Sequence, residues 1–147
     1  MVRAMSVYLI RDRARIPKPN DVGVIYEYWY KERKMGIQAV LTGTCQCAVG
    51  SAPSPLMVLP IHRTMAGGKP AANIKDHIPF LNNMPFGSCA LLLGAPCVPA
   101  TPGPWAPGSP TVLVDGAPAL NNSSILSCCI GGVISITNPG QPTVLIP

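Results

Sequence analysis

Residues 105–136 read WAPGSPTVLV (105–114), DGAPALNNSS (115–124) and ILSCCIGGVISI (125–136). Two β-branched runs, 111–114 and 133–137, are bounded by Gly and Pro, the pattern of short strands that must turn within a few residues. A cysteine pair, Cys128 and Cys129, precedes the second run. The stretch is also half of a repeat. Gly108-Ser109-Pro110-Thr111-Val112-Leu113-Val114 returns as Gly140-Gln141-Pro142-Thr143-Val144-Leu145-Ile146, and more loosely as Ser54-Pro55-Leu56-Met57-Val58-Leu59. Gly68-Lys69-Pro70-Ala71-Ala72-Asn73 is echoed by Gly116-Ala117-Pro118-Ala119-Leu120-Asn121, and the Cys-x-x-Gly of Cys47 to Gly50 by that of Cys128 to Gly131. The chain therefore reads as a degenerate duplication with a partial third strand unit, 54–59.

A repeat that alternates strand, Gly turn and Pro-Ala turn leaves no room for a long helix. Each piece is too small to bury an apolar face alone, whereas strands closed around an axis leave few open edges. The expected fold is all-β: a small conical, pseudo-symmetric β prism of short strands and Gly/Pro turns, spanning 36–147, with an N-terminal extension over 1–35.

Composition agrees. The 18 Pro and 14 Gly are far above ordinary usage, yet 48% of residues are hydrophobic and 12% charged, which is not the composition of a disordered chain. Pro or Gly interrupts each apolar run before the roughly 18 residues that a membrane helix needs. The first ten residues are mostly apolar, but that segment is too short and meets Arg11, Arg13 and Arg15 with no small-residue cleavage site, so no secretory signal is expected. The net charge of +5 is concentrated: eight of eleven Lys and Arg residues precede residue 41. Beyond it only Arg63, Lys69 and Lys75 remain, too few for a phosphate footprint, so no nucleic-acid partner is expected. The extension holds all four tyrosines and Trp29. Asp21 can cap a helix there, but the aromatic run 26–30 fits a strand equally well, and the element either packs on its own domain or contacts a partner. Met35 is an alternative start of the chain.

Six cysteines lie at 45, 47, 89, 97, 128 and 129, and histidines at 62 and 77. No local pair has the two-to-four-residue spacing of a zinc knuckle. Position carries more: Cys47 and Cys128 occupy equivalent places in the repeat, and Cys89 and Cys97 bracket the loop that joins its halves. Folding the duplication on itself would gather Cys47, Cys89, Cys97 and Cys128, with His77 as alternative ligand, into a closed structural zinc site. Buried free thiols and disulfides are the competing readings. His62 reads as a loop histidine and Cys129 as packing. For catalysis, Cys89 with His77 is the nearest thing to a nucleophile and base, but no motif surrounds either and acids to orient a base are few. The Gly pairs are not followed by a phosphate-binding helix start. The chain reads as a non-enzyme.

The combination of Pro-Trp-x-x-Gly-Ser-Pro-Thr-Val-Leu-Val-x-x-x-Pro-Ala-Leu-Asn-Asn-Ser-Ser, Cys-x-x-Gly-Gly-Val-Ile-Ser-Ile, Pro-Ala-Ala-Asn-Ile-x-Asp and Met-Pro-Phe-Gly-x-Cys resembles the PAAR-like spike-tip family of contractile injection systems. The resemblance covers roughly residues 36–140. It implies a β cone that caps and sharpens a trimeric β-helical spike for membrane puncture, in one copy per spike. It also implies a zinc near the tip, a possible role as adaptor for a toxin effector, and only transient contact with the target membrane. Assembly would be in the bacterial cytoplasm, as in type VI secretion, with delivery out of the cell on contraction. Thiolates stand where that family usually has histidines. The alternative function is a free-standing zinc-stabilised β protein-binding module. For the surface that meets a spike, Met57, Val58, Leu59 and 144–146 are the apolar candidates.

Overall fold

Two-residue turns set the local structure. Gly67-Gly68 and Asp115-Gly116 all have positive φ, the conformation that closes a tight hairpin with the right-handed twist of its strands. They join β4 (Met65–Ala66) to β5 (Lys69–Pro70) and β6 (Leu113–Val114) to β7 (Ala117–Pro118). The computed structural model describes residues 35–147, a single compact unit; the extension, with its Asp21 and aromatic-run readings, lies outside the described residues.

A third pair has the same form but no turn. β1 (Gly36–Ile37) pairs antiparallel with β10 (Leu145–Ile146), Gly36 opposite Ile146 and Ile37 opposite Leu145. The same register places Lys69 opposite Ala66 and Ala117 opposite Val114. The domain thus has three equivalent hairpin-like units, one of them built from its two ends. The sequence reading is corrected here. Ser54–Pro55 forms β3 in a different sheet, and the copy of the strand unit that the sequence reading missed is the hairpin β4–β5, where Arg63-Thr64-Met65 hides the strand signature.

The units are tied cyclically. Ala39 N donates to Leu120 O (2.8 Å), Leu120 N to Ala72 O (3.0 Å) and Ala72 N to Ala39 O (2.9 Å), and all three residues are fully buried. Two further sets recur in all three units, the first within each unit and the second between units in the opposite sense around the ring. Gln38 N, Ala71 N and Ala119 N reach the carbonyls of Val144, Thr64 and Val112, each at 2.9 Å. Leu41 N, Ile74 N and Asn122 N reach those of Pro70, Pro118 and Ile37, each at 3.0 Å. In each unit the second strand residue, Ala66, Val114 or Ile146, turns into a shared apolar core with Val40, Ala71 and Ala119. Its predecessor, Met65, Leu113 or Leu145, faces outward. That is the period-2 alternation of a strand with one buried face.

The remaining strands form one antiparallel sheet in the order β3-β2-β9-β8, with β2 at Thr44–Cys47, β8 at Ile125–Ser127 and β9 at Val133–Asn138. Leu56, Phe86, Trp105, Leu126 and Ile134 fill the larger core against it. The described residues make an all-β domain with one short 3₁₀ turn at Ala90–Leu92. Of the apolar candidates for a partner surface, Met57 and Leu59 are exposed, whereas Val58 and Ile146 are core.

Leu120→Ala should destabilise the full chain by about 2–5 kcal/mol, as for other buried leucines. The outward Leu113→Ala should change stability by less than about 0.5 kcal/mol, both read by denaturant unfolding.

Candidate functional site

The hairpin units are joined by three connections, 41–63, 75–111 and 123–143, and each carries one of the cysteine pairs. β2 leads the first away from the hairpin ring, and its alternation turns Cys45 and Cys47 to the same buried face. Pairing of β2 with β9 sets Cys47 opposite Ile134 and lays the first and third connections side by side. The two Cys-x-x-Gly turns then close alike, Gly50 N on Cys47 O at 3.1 Å and Gly131 N on Cys128 O at 3.0 Å. This is the equivalence the repeat predicts. The second connection folds over both. Ala90 N donates to Val49 O at 2.9 Å, and its loop is pinched at the base by Cys89 N to Ala95 O (2.7 Å) and Cys97 N to Gly87 O (2.6 Å).

That folding brings thiols from different connections together. The Cys97 thiol lies within hydrogen-bonding reach of both the Cys47 and the Cys89 thiols. Burial pushes Cys97 up to about 12, and the two neighbouring sulfurs add to the rise. Gly132 makes the space: a Cβ there would stand 2.7 Å from Cys47 Sγ and 3.9 Å from Cys128 Cβ. Cys128 is therefore the next neighbour, and its sulfur accepts from Ala100 N at 3.4 Å. On the other side of that strap, Thr101 Oγ1 donates to His77 O at 2.6 Å, and His77 Nδ1 is buried without a partner. All six cysteines are free thiols, and Cys129 is exposed, away from the buried set. The structure thus brings together Cys47, Cys89 and Cys97, with Cys128 beside them and His77 across the Ala100-Thr101 strap. Among the described residues, no three His, Cys, Asp or Glu side chains are already arranged around one ion position. The donor chemistry suits zinc, while the geometry would have to tighten to bind it.

A second cluster escaped the sequence reading. His62, read as a loop histidine, is buried, with Nε2 3.2 Å from Asp76 Oδ1 and Nδ1 3.5 Å from Asp115 Oδ2. Asp76 Oδ2 accepts from Asn73 N at 2.8 Å, and Asp76 O accepts from the Trp105 indole at 2.9 Å. The carboxylate therefore holds His62 and the turn at Asn73, and the main-chain carbonyl of the same residue adds Trp105. Its adjacency to His77 is misleading, because the ring it meets is fourteen residues upstream.

The hairpins at 65–70 and 113–118 and all six cysteines fall within the match to DUF4280, a domain of unknown function, which covers residues 40–141. The chain belongs to the DUF4280 family. No curated protein and no solved structure matches it. The DUF4280 span stops short of β1 and β10, so the strand pair that completes the third unit lies outside it.

Asp76→Ala should cost about 2–4 kcal/mol, since it strands His62 and a buried amide. Asp115→Ala, with its side chain 55% exposed, should cost less than about 1 kcal/mol. A pH effect follows from Cys45, whose thiol burial raises from 9.0 to about 12. The folded state favours the neutral thiol, so its contribution is full below pH 9.0 and is lost as pH rises toward 12. Unfolding measured across that window should show stability falling, with a shallower fall in Cys45→Ala.

Proposed function

We propose that this DUF4280 domain is a PAAR-like spike tip: a structural protein that caps the trimeric β-helical spike of a contractile injection apparatus. The observation that carries the reading is the cyclic hydrogen-bond ring. A single chain with three equivalent units presents the same contact three times around one axis, which is what one copy needs to seat on a three-fold partner. The hairpin end is the docking face. Met65 and Leu113 are exposed at equivalent positions there, and Leu145 takes the third place, half-buried. The thiol end then points forward. A role as adaptor for a toxin effector, and assembly in the bacterial cytoplasm before outward delivery, belong to the same reading.

Zinc is part of the proposal. Cys47, Cys89 and Cys97 would hold it, with Cys128 as fourth ligand or His77 in its place. When bound it would supply a closed structural staple across all three connections, with no open position for chemistry. The domain has no catalytic role in this reading.

The full chain should form a 1:3 complex with the spike trimer encoded beside it, read by light scattering. The Met65→Asp/Leu113→Asp variant should lose that complex while melting like the wild type. Absence of any complex with such a trimer would sink the cap. Metal analysis of freshly reduced protein should give about one zinc per chain, and Cys97→Ser should lose the metal and several degrees of melting temperature. Zinc-free wild-type protein would remove the metal and leave the cap standing.

A further inference from the structure

The loop between Cys89 and Cys97 reads Ala90-Leu91-Leu92-Leu93-Gly94-Ala95-Pro96, and each of these seven residues is exposed. Leu93 is 99% exposed, in the left-handed region at φ 53°, with Gly94 following at φ 90°. Three adjacent leucines at the tip of a loop contribute nothing to the core. A sequence under no demand for them would place polar residues in such a turn.

We infer that Leu91, Leu92 and Leu93 form a finger that inserts into the apolar layer of a lipid bilayer. Backbone pairing fits that medium. Ala90, Leu92, Gly94 and Ala95 donate their amides to Val49, Cys89, Cys89 and Leu92 carbonyls at 2.9–3.3 Å. Four of the six amides from 90 to 95 are thus paired within the protein, which lowers the cost of carrying irregular backbone toward hydrocarbon. Charge fits too. No Lys, Arg, Asp or Glu occurs in 38–61, 77–114 or 116–147, so the chain around the finger carries none. The five charged residues of the domain lie at 63, 69, 75, 76 and 115, in or beside the hairpins of the ring. Lys69 Nζ bonds Thr42 Oγ1 and Gly140 O at that end, while the finger joins the far end of β2 through Val49. A protein partner is the weaker occupant. Interface anchors favour Tyr, Trp and Arg seated in pockets, and leucine is under-represented among them. This finger is convex, uncharged and without an aromatic residue.

The biological setting rests on the spike-tip reading, in which this end leads, but the lipid contact is tested without a spike. Full-length protein is floated with phosphatidylcholine vesicles at high salt, where the cations of residues 1–34 gain nothing from the uncharged surface. Wild type should rise with the vesicles. The double variant Leu92→Ser/Leu93→Asp should partition at least about tenfold less, and the control Leu113→Asp should match wild type. Leu93→Trp should gain fluorescence that brominated lipid quenches. Wild type remaining unbound, or equal losses in finger and control variants, would overturn the inference. So would self-association abolished by Leu93→Asp in a protein that does not float. The finger variant should still cap the spike trimer, and Met65→Asp/Leu113→Asp should still float, so failure of one reading is distinct from failure of the other.

Discussion

Three hydrogen bonds among Ala39, Ala72 and Leu120 hold the domain in its form. They run in one direction around a closed ring, so each residue is donor to one unit and acceptor from another. A buried amide without a partner costs about 1–3 kcal/mol, and here no unit can leave without stranding groups on the other two. The ring also dictates size. Three backbones approach within hydrogen-bond distance at fully buried positions, where two alanines and one leucine leave little else that would fit. None of the hairpins, with two-residue strands, would be stable alone.

Everything at the other end follows from that closure. Because the ring fixes where each connection leaves and returns, the three connections must run out alongside one another and meet. The thiols sit where they meet. The cysteines of β2 are held by pairing with β9, those of the second connection by its pinched loop, and Cys128 by a turn that duplicates the one after Cys47. The Asp76 cluster does for the middle of the domain what a metal would do for the thiol end: it joins chain segments that have no regular secondary structure in common.

The hairpins were legible in the sequence where turn and strand are contiguous. Pro118-Ala119-Leu120-Asn121 repeats Pro70-Ala71-Ala72-Asn73 because both strands perform the same task on the ring, and the Cys-x-x-Gly echo marks two turns of the same form. The pairing of β1 with β10 was not legible, since those strands come from opposite ends of the domain, and the hairpin at 65–70 was missed as a copy because Arg63-Thr64-Met65 lacks the Pro-Thr-Val signature. The looser echo at 54–59 competed because Ser-Pro-Leu satisfies a local strand pattern while pairing elsewhere. At the candidate site, repeat position was enough to gather Cys47, Cys89, Cys97 and Cys128 in one region. It gave no hint of His62 with Asp76, a pairing made through space by loops whose course only the ring determines. Exposure of 91–93 was equally hidden, since a short apolar run does not by itself say whether it is buried.

Symmetry in this domain is confined to one end. The hairpin ring repeats three times to within the register of its pairs, whereas the connections differ in length, and only the second carries a leucine finger. A true homotrimer cannot do this, because whatever one subunit places at the end of the axis the other two must place there as well. Three units in one chain escape that constraint. The ring can remain three-fold where it is proposed to meet a three-fold spike, and the far end can converge on a single thiol site and one projecting loop. The buried ring permits the difference, because it fixes the exits of the connections and leaves their sequences free.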